Sequence, residues 1–220
     1  MGKLIKNSRL SNFQLRKIID YFALELTAVQ TSKYLGINRK SIDRIYGIIR
    51  EKIAHYQEIN QDIFHGEVEL DESYFGGKKK YDRGRSTKSK IPVFGLLKRN
   101  GKVYTQIVPD ASRRTLIKII RSKVVTNSKV YTDSWRSYDG LIIDGYRHYR
   151  INHSKEFSKG KRNHINGIES FWSYAKGKLQ KHYGITPKRF YFYLKEMEFR
   201  FNHRNCDNLS NLIEKILIKY

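Results

Sequence analysis

Three acidic residues, Asp71, Asp133 and Glu169, have the type and setting that phosphodiester chemistry needs. Divalent ions that activate an attacking oxygen and stabilise a leaving one require hard oxygen ligands gathered close together. Asp71 lies in Glu67-Val-Glu-Leu-Asp-Glu-Ser-Tyr-Phe75, whose alternation of apolar and polar residues predicts a strand, and Asp133 ends a second strand-like run that starts at Lys129. Glu169 sits on an amphipathic helical stretch, 163–172, with 35 residues between it and Asp133. Carboxylates from two strands and a helix can converge, and they stay close only if cations offset their repulsion. Taken singly, each acid reads as readily as solvated surface, and Glu67, Glu69 and Glu72 as the exposed face of a strand. The joint placement on strand, strand and helix is the specific feature.

Other residues cluster around these acids in the sequence. Lys176 follows Glu169 by two helical turns and shares its face, where an ammonium could hold a phosphate. His164 and Asn166 border the site, although Asn163 or Asn166 serves equally well as a helix cap. Trp135 is ambiguous, whereas Ile168, Phe171, Trp172, Ala175 and Leu179 read as the buried stripe of the helix. The segment 76–90 carries Lys78, Lys79, Lys80, Arg83 and Arg85 among glycines and is too charged to pack alone. It is a hairpin connection without a role or, beside a site that cuts DNA, a phosphate clamp ordered by the substrate.

The elements that must position these residues are legible in outline. Strands are expected at 66–75, 91–98, 102–109, 129–133 and 146–151, and helices at 112–123, 163–182 and 187–204. Ahead of them, residues 10–54 read as three helices. Thr27 caps the second, Gly36 ends it with a positive φ, and Asn38 caps the third. The basic residues Arg39, Lys40 and Arg44 open that third helix on its exposed side, as in a helix-turn-helix that enters a major groove; a plain helical bundle with a solvated face is the alternative. In the last long helix, Phe190, Leu194, Met197 and Phe201 face a core, while Arg200, His203 and Arg204 stay exposed near DNA.

Composition agrees with a polyanionic partner. The 220 residues hold 44 Lys and Arg against 21 Asp and Glu, a formal net charge of +23, of which residues 1–60 supply +6 and the remainder +17. Basic side chains that neutralise phosphates release condensed counterions and so bind nucleic acid without regard to sequence. No long apolar run suits a membrane span, and no signal-peptide pattern is present. A lone cysteine, Cys206, excludes an intrachain disulfide and a zinc ribbon. A cytoplasmic, nucleoid-associated protein without a membrane partner is expected.

The motifs Leu70-Asp71-Glu72-Ser73-Tyr74-Phe75-Gly76-Gly77, Tyr131-Thr-Asp133-Ser-Trp-Arg-Ser-Tyr138, His164-Ile-Asn-Gly-Ile-Glu169-Ser-Phe-Trp172 and Phe201-Asn-His-Arg204 occur in that order. In this the chain resembles bacterial insertion-sequence transposases of the DDE superfamily, in the ISXO-type branch, over roughly residues 62–205. The resemblance implies an α/β, RNase H-like catalytic core with a mixed five-stranded sheet and flanking helices, preceded by the small all-α helix-turn-helix module. It implies Asp71, Asp133 and Glu169 as ligands of two Mg²⁺ or Mn²⁺ ions, with Lys176 as the lysine that follows the glutamate, and no zinc. The expected division is 1–60 for DNA binding, 62–205 for catalysis and 206–220 for a helical tail. The short N-terminal portion fits a compact subtype or a chain that has lost an upstream segment.

The implied activity is metal-dependent hydrolysis at terminal inverted repeats followed by strand transfer. Its partners are double-stranded DNA, as element ends and target, and further copies of the chain in a dimer or larger assembly. The rivals are a DNA-binding repressor or inactive relic, and an RNase H-like nuclease without strand transfer.

Overall fold

The computed structural model describes residues 4–76, 90–133, 145–151, 165–182 and 184–220. The chain divides into two compact units, one of Met1–Gln61 with Pro187–Tyr220 and one of Asp62–Thr186.

In the first unit, α1 (Asn12–Ala23), α2 (Ala28–Leu35) and α3 (Arg39–Ile59) begin where the local capping signals stand. Ser11 and Thr27 each form a capping box with a glutamine three residues on, and Asn38 accepts from the Lys40 amide. Gly36, at φ 64°, ends α2 in the left-handed conformation that a side chain resists. Helices α6 (Pro187–Asn202) and α7 (Leu209–Lys219) join them. Leu15, Ile18, Ile19, Phe22, Ile42, Ile49, Ile53, Phe199 and Ile213 make one continuous core.

Residues 187–202 pack in the first unit, where the partners of Phe199 and Glu196 lie on α1 and α3. One expectation needs correction here. Arg200 is buried instead of facing DNA: it donates to Glu196 at 2.9 Å and to the carbonyls of Phe22 and Ala23. Glu196 also accepts from Arg50 at 2.6 Å, so one carboxylate ties two guanidiniums across α3 and α6, and Arg200 extends the link to α1.

The second unit is a mixed five-stranded sheet of β1 (Glu67–Phe75), β2 (Ile91–Lys98), β3 (Val103–Ile107), β4 (Lys129–Asp133) and β5 (Arg147–Ile151). The order is β3-β2-β1-β4-β5, with β2 antiparallel to both neighbours and the β1–β4 and β4–β5 pairs parallel. This is the sheet of the expected RNase H-like core. Helix α4 (Arg113–Lys123), capped by Ser112, covers one face. There Leu116 and Ile120 pack with Val68, Leu70, Phe94, Leu96 and Val130. Helix α5 (Asn166–Leu179) covers β1 and β2 on the opposite face. Because side chains alternate along a strand, Val68 and Leu70 point to the α4 side and Glu69 and Asp71 to the α5 side.

Candidate active site

The centre of β1 carries Asp71, and the adjacent strand β4 ends at Asp133. The last paired positions of these parallel strands are Glu69 and Tyr131. Asp71 and Asp133 stand two residues beyond them on each strand, on one face of the sheet.

Helix α5 brings Glu169 to the same face. Two glycines set how closely it approaches. A Cβ on Gly95, the antiparallel partner of Asp71, would lie 2.8 Å from Trp172 Cη2 and closer still to Cζ2. A Cβ on Gly167 would lie 2.8 Å from Glu69 Oε2. The helix therefore rests directly on the strand backbone, with the indole of Trp172 over Gly95 and edge-on to Phe75 at 5.9 Å. Ile168, Phe171, Trp172 and Ala175 are buried, as their spacing predicts.

Burial pushes the Asp71 carboxyl up to about 7, and the negative charges of Asp133 and, less strongly, Glu169 add to the shift. The backbone amide of Glu72 and the indole of Trp172 act in the other direction. Trp172 Nε1 is buried with no hydrogen-bond partner among the described residues, yet stands near enough to Asp71 to favour its charged form. Lys176, one turn beyond Trp172, has its ammonium 5.7 Å from the Phe75 ring centroid. Packing around that ammonium lowers its pKa, the charge of Asp71 raises it, and Lys90 lowers it further. The three acids and Lys176 thus share one electrostatic neighbourhood. The carboxylates are coupled but not closed into a cage: among the described residues no three His, Cys, Asp or Glu side chains gather closely enough to hold a metal ion. Hard oxygen donors whose charges add to the rise of a buried carboxyl suit a divalent cation, which would relieve their repulsion.

Glu69 departs from the expectation of a solvated strand face. It is 1% exposed, its Oε2 accepts from the Ile168 amide at 2.9 Å, and its Oε1 accepts from Arg99 Nε at 3.0 Å. Arg99 also reaches Glu67 at 3.1 Å and lies 3.7 Å from the centroid of the Tyr131 ring. Asn166 is the first, exposed residue of α5 and is not its cap: Ile165 occupies that position. His164, Asn163 and Trp135, together with Lys78, Lys79, Lys80, Arg83 and Arg85, lie outside the described residues.

In the first unit, Arg39, Lys40 and Arg44 are exposed at the start of α3, and Arg39 makes only a solvent-exposed contact with Asp43 at 3.4 Å. A cleft beside them is lined by Lys40, Arg44, Glu51, Arg189, Phe192 and Tyr193. Arg189, from the first turn of α6, is a basic residue that helical periodicity alone did not bring to this place.

Among known proteins, an uncharacterized transposase-like protein of Haemophilus influenzae is 46% identical over 116 residues, which cover 53% of this chain and 94% of that protein. A chain of the simian T-cell lymphotropic virus intasome in complex with the PP2A regulatory subunit B56 gamma aligns at TM-score 0.41 and 10% identity. That alignment covers 90% of this chain and 74% of the other. The Mos1 mariner paired-end complex with Mn aligns at TM-score 0.35 and 13% identity, over 100% and 82%. At those scores the strand order, not the superposition, carries the fold assignment. Among the described residues no helix is long and apolar enough to cross a membrane. The family described as the ISXO2-like transposase domain matches residues 63–202, a span that takes in the whole sheet, α5 and all three acids. The chain belongs to that family, within the insertion-sequence transposases of the DDE superfamily.

Proposed function

We propose that the protein is an element-specific DNA transposase that binds terminal inverted repeats, hydrolyses a phosphodiester at each end and joins the freed 3′-hydroxyl to target DNA. The observation that carries this reading is that Asp71 and Asp133, two residues past the last pairing of adjacent strands, share the sheet face that α5 covers with Glu169 near its start. In this reading Asp71, Asp133 and Glu169 would hold the divalent ions, Mg²⁺ or Mn²⁺. Once bound, such ions supply charge stabilisation to the attacking and leaving oxygens.

The chain's own residues would do the rest. Lys176 would hold a non-bridging phosphate oxygen beside the carboxylates. Trp172 would keep water from one side of Asp71 and turn its buried indole N–H toward that carboxyl. Arg39, Lys40 and Arg44, with Arg189, would neutralise phosphates of the element end, and Lys78, Lys79, Lys80, Arg83 and Arg85 those nearer the cut. His164, Asn166 and Trp135 would border the site. Joining two ends to one target calls for at least a dimer on DNA.

The test is cleavage of a labelled duplex spanning the element end, with Mg²⁺ or Mn²⁺, by the wild type and by Asp133→Asn. The expected result is a metal-dependent nick at the element boundary that the variant does not make, although it still binds. Binding without any nick by the wild type would favour the repressor or inactive-relic reading instead.

A further inference from the structure

The proposed site needs Glu169, on α5, held against Asp71, on β1, and α5 begins without a cap of its own. Ile165 stands at the cap position and no side chain there accepts a hydrogen bond. The first amides of a helix are left without intrahelical partners, and a cap side chain normally serves the second or third of them. Here the third helical residue is Ile168, and its N–H donates to Glu69 Oε2, 99 positions back in the chain. The other oxygen of Glu69 accepts from Arg99, itself fixed by Glu67 and stacked on Tyr131. Gly167 leaves the space into which Glu69 Oε2 fits.

We infer that Glu69 is the positioning residue of this site: its carboxylate caps α5 in trans and thereby sets Glu169 relative to Asp71. Three features favour this over a packing role. A buried carboxylate is costly unless paired, and both its oxygens are used here. A negative charge at a helix N-terminus is favourable. Glu69 and Asp71 are also two residues apart on one strand, so a cap on the first fixes the helix against the second. The catalytic consequence rests on the reading of Asp71, Asp133 and Glu169 as metal ligands; the capping does not.

The experiment compares wild type, Glu69→Gln and Glu69→Ala. Amide hydrogen exchange is read over 165–172 without metal or DNA, Mn²⁺ affinity by calorimetry, and the Mn²⁺ dependence of end cleavage. Loss of the cap should speed exchange in the first turn of α5 while leaving β2, β3 and the helices of the first unit unchanged. Glu69→Ala should weaken Mn²⁺ roughly 10–100-fold, the range typical of groups that orient metal ligands. Glu69→Gln, which keeps an accepting oxygen, should restore part of both. Unchanged exchange at 165–172 in Glu69→Ala would overturn the proposal, as would a loss of protection spread evenly across the second unit in Glu69→Gln. If Glu69→Ala does not fold, Glu69→Gln decides: local acceleration with weaker Mn²⁺ binding supports the role, and wild-type exchange refutes it. Failure of the wild type to cut DNA would count against the transposase reading alone, since exchange still reports the cap.

Discussion

The indole of Trp172 lies against the backbone of Gly95, in the space that a β-carbon would occupy. Gly95 pairs with Asp71, so the side chain missing from β2 is what lets α5 approach the acid on β1. Gly95→Ala must push Trp172 and the helix outward. Overpacking of this kind typically costs about 1–3 kcal/mol. The variant is expected to lose that much in urea denaturation while end cleavage falls far more, because Glu169 moves with Trp172. Full cleavage in a destabilised Gly95→Ala protein would separate the helix contact from the chemistry.

Asp71 predicts a pH effect in the metal-free protein. Its carboxyl is raised from an ordinary carboxylate value to about 7, so the folded chain holds this proton more tightly than the unfolded chain does. The contribution of this group is fully present below about pH 4 and is lost as pH rises toward about 7, at up to ~1.4 kcal/mol per pH unit. Asp71→Asn should therefore melt higher than wild type at pH 8 in chelator and no higher near pH 4. Addition of Mn²⁺ should raise the melting temperature of the wild type alone. Equal melting at pH 8 would show that neither burial nor the neighbouring acids disfavour the charge in the folded state.

The features that were legible in the sequence share a physical origin. Caps at Thr27 and Asn38 and the Gly36 turn involve residues within four positions of one another, so the chain displays them directly. The placement of Asp71 and Asp133 on strands was legible because strand alternation is also local. Glu69 was not, because its partner is a backbone amide that leaves no mark on the sequence and lies 99 positions away. Arg200 was misread for a related reason. Its partner Glu196 is visible four residues earlier, but the carbonyls of Phe22 and Ala23 that complete its burial come from α1.

Glu196 predicts the opposite sign. Burial pushes its carboxyl up, but Arg50 and Arg200 outweigh that and hold it below the usual carboxylate value. Its contribution is present above the unfolded carboxylate range and is lost as pH falls through the lowered value. Glu196→Ala leaves two buried guanidiniums without a carboxylate and is expected to cost about 3–5 kcal/mol. Denaturant titration of the variant at neutral pH checks this, and a loss under about 1 kcal/mol would mean that water reaches the arginines.

The recognition surface makes the last prediction, and it is separable from the chemistry. Arg39, Lys40 and Arg44 are exposed at the start of α3, and the cleft beside them adds Arg189. The contact of Arg39 with Asp43 is between two exposed side chains, worth little, so the guanidinium can turn toward a phosphate. Removing one side chain that neutralises a phosphate should reduce the slope of log affinity against log salt by about 0.9. If both arginines bind phosphates, Arg39→Ala with Arg44→Ala should lower the slope by about 2, and Arg189→Ala by about 1 more, in gel shifts on the element end. A side chain that reads a base edge behaves differently: its removal weakens the specific site while leaving binding to unrelated duplex nearly unchanged. Running both duplexes at several salt concentrations therefore sorts these residues into those that position α3 and those that read sequence. Unchanged affinity and slope in the double variant would move recognition away from this helix.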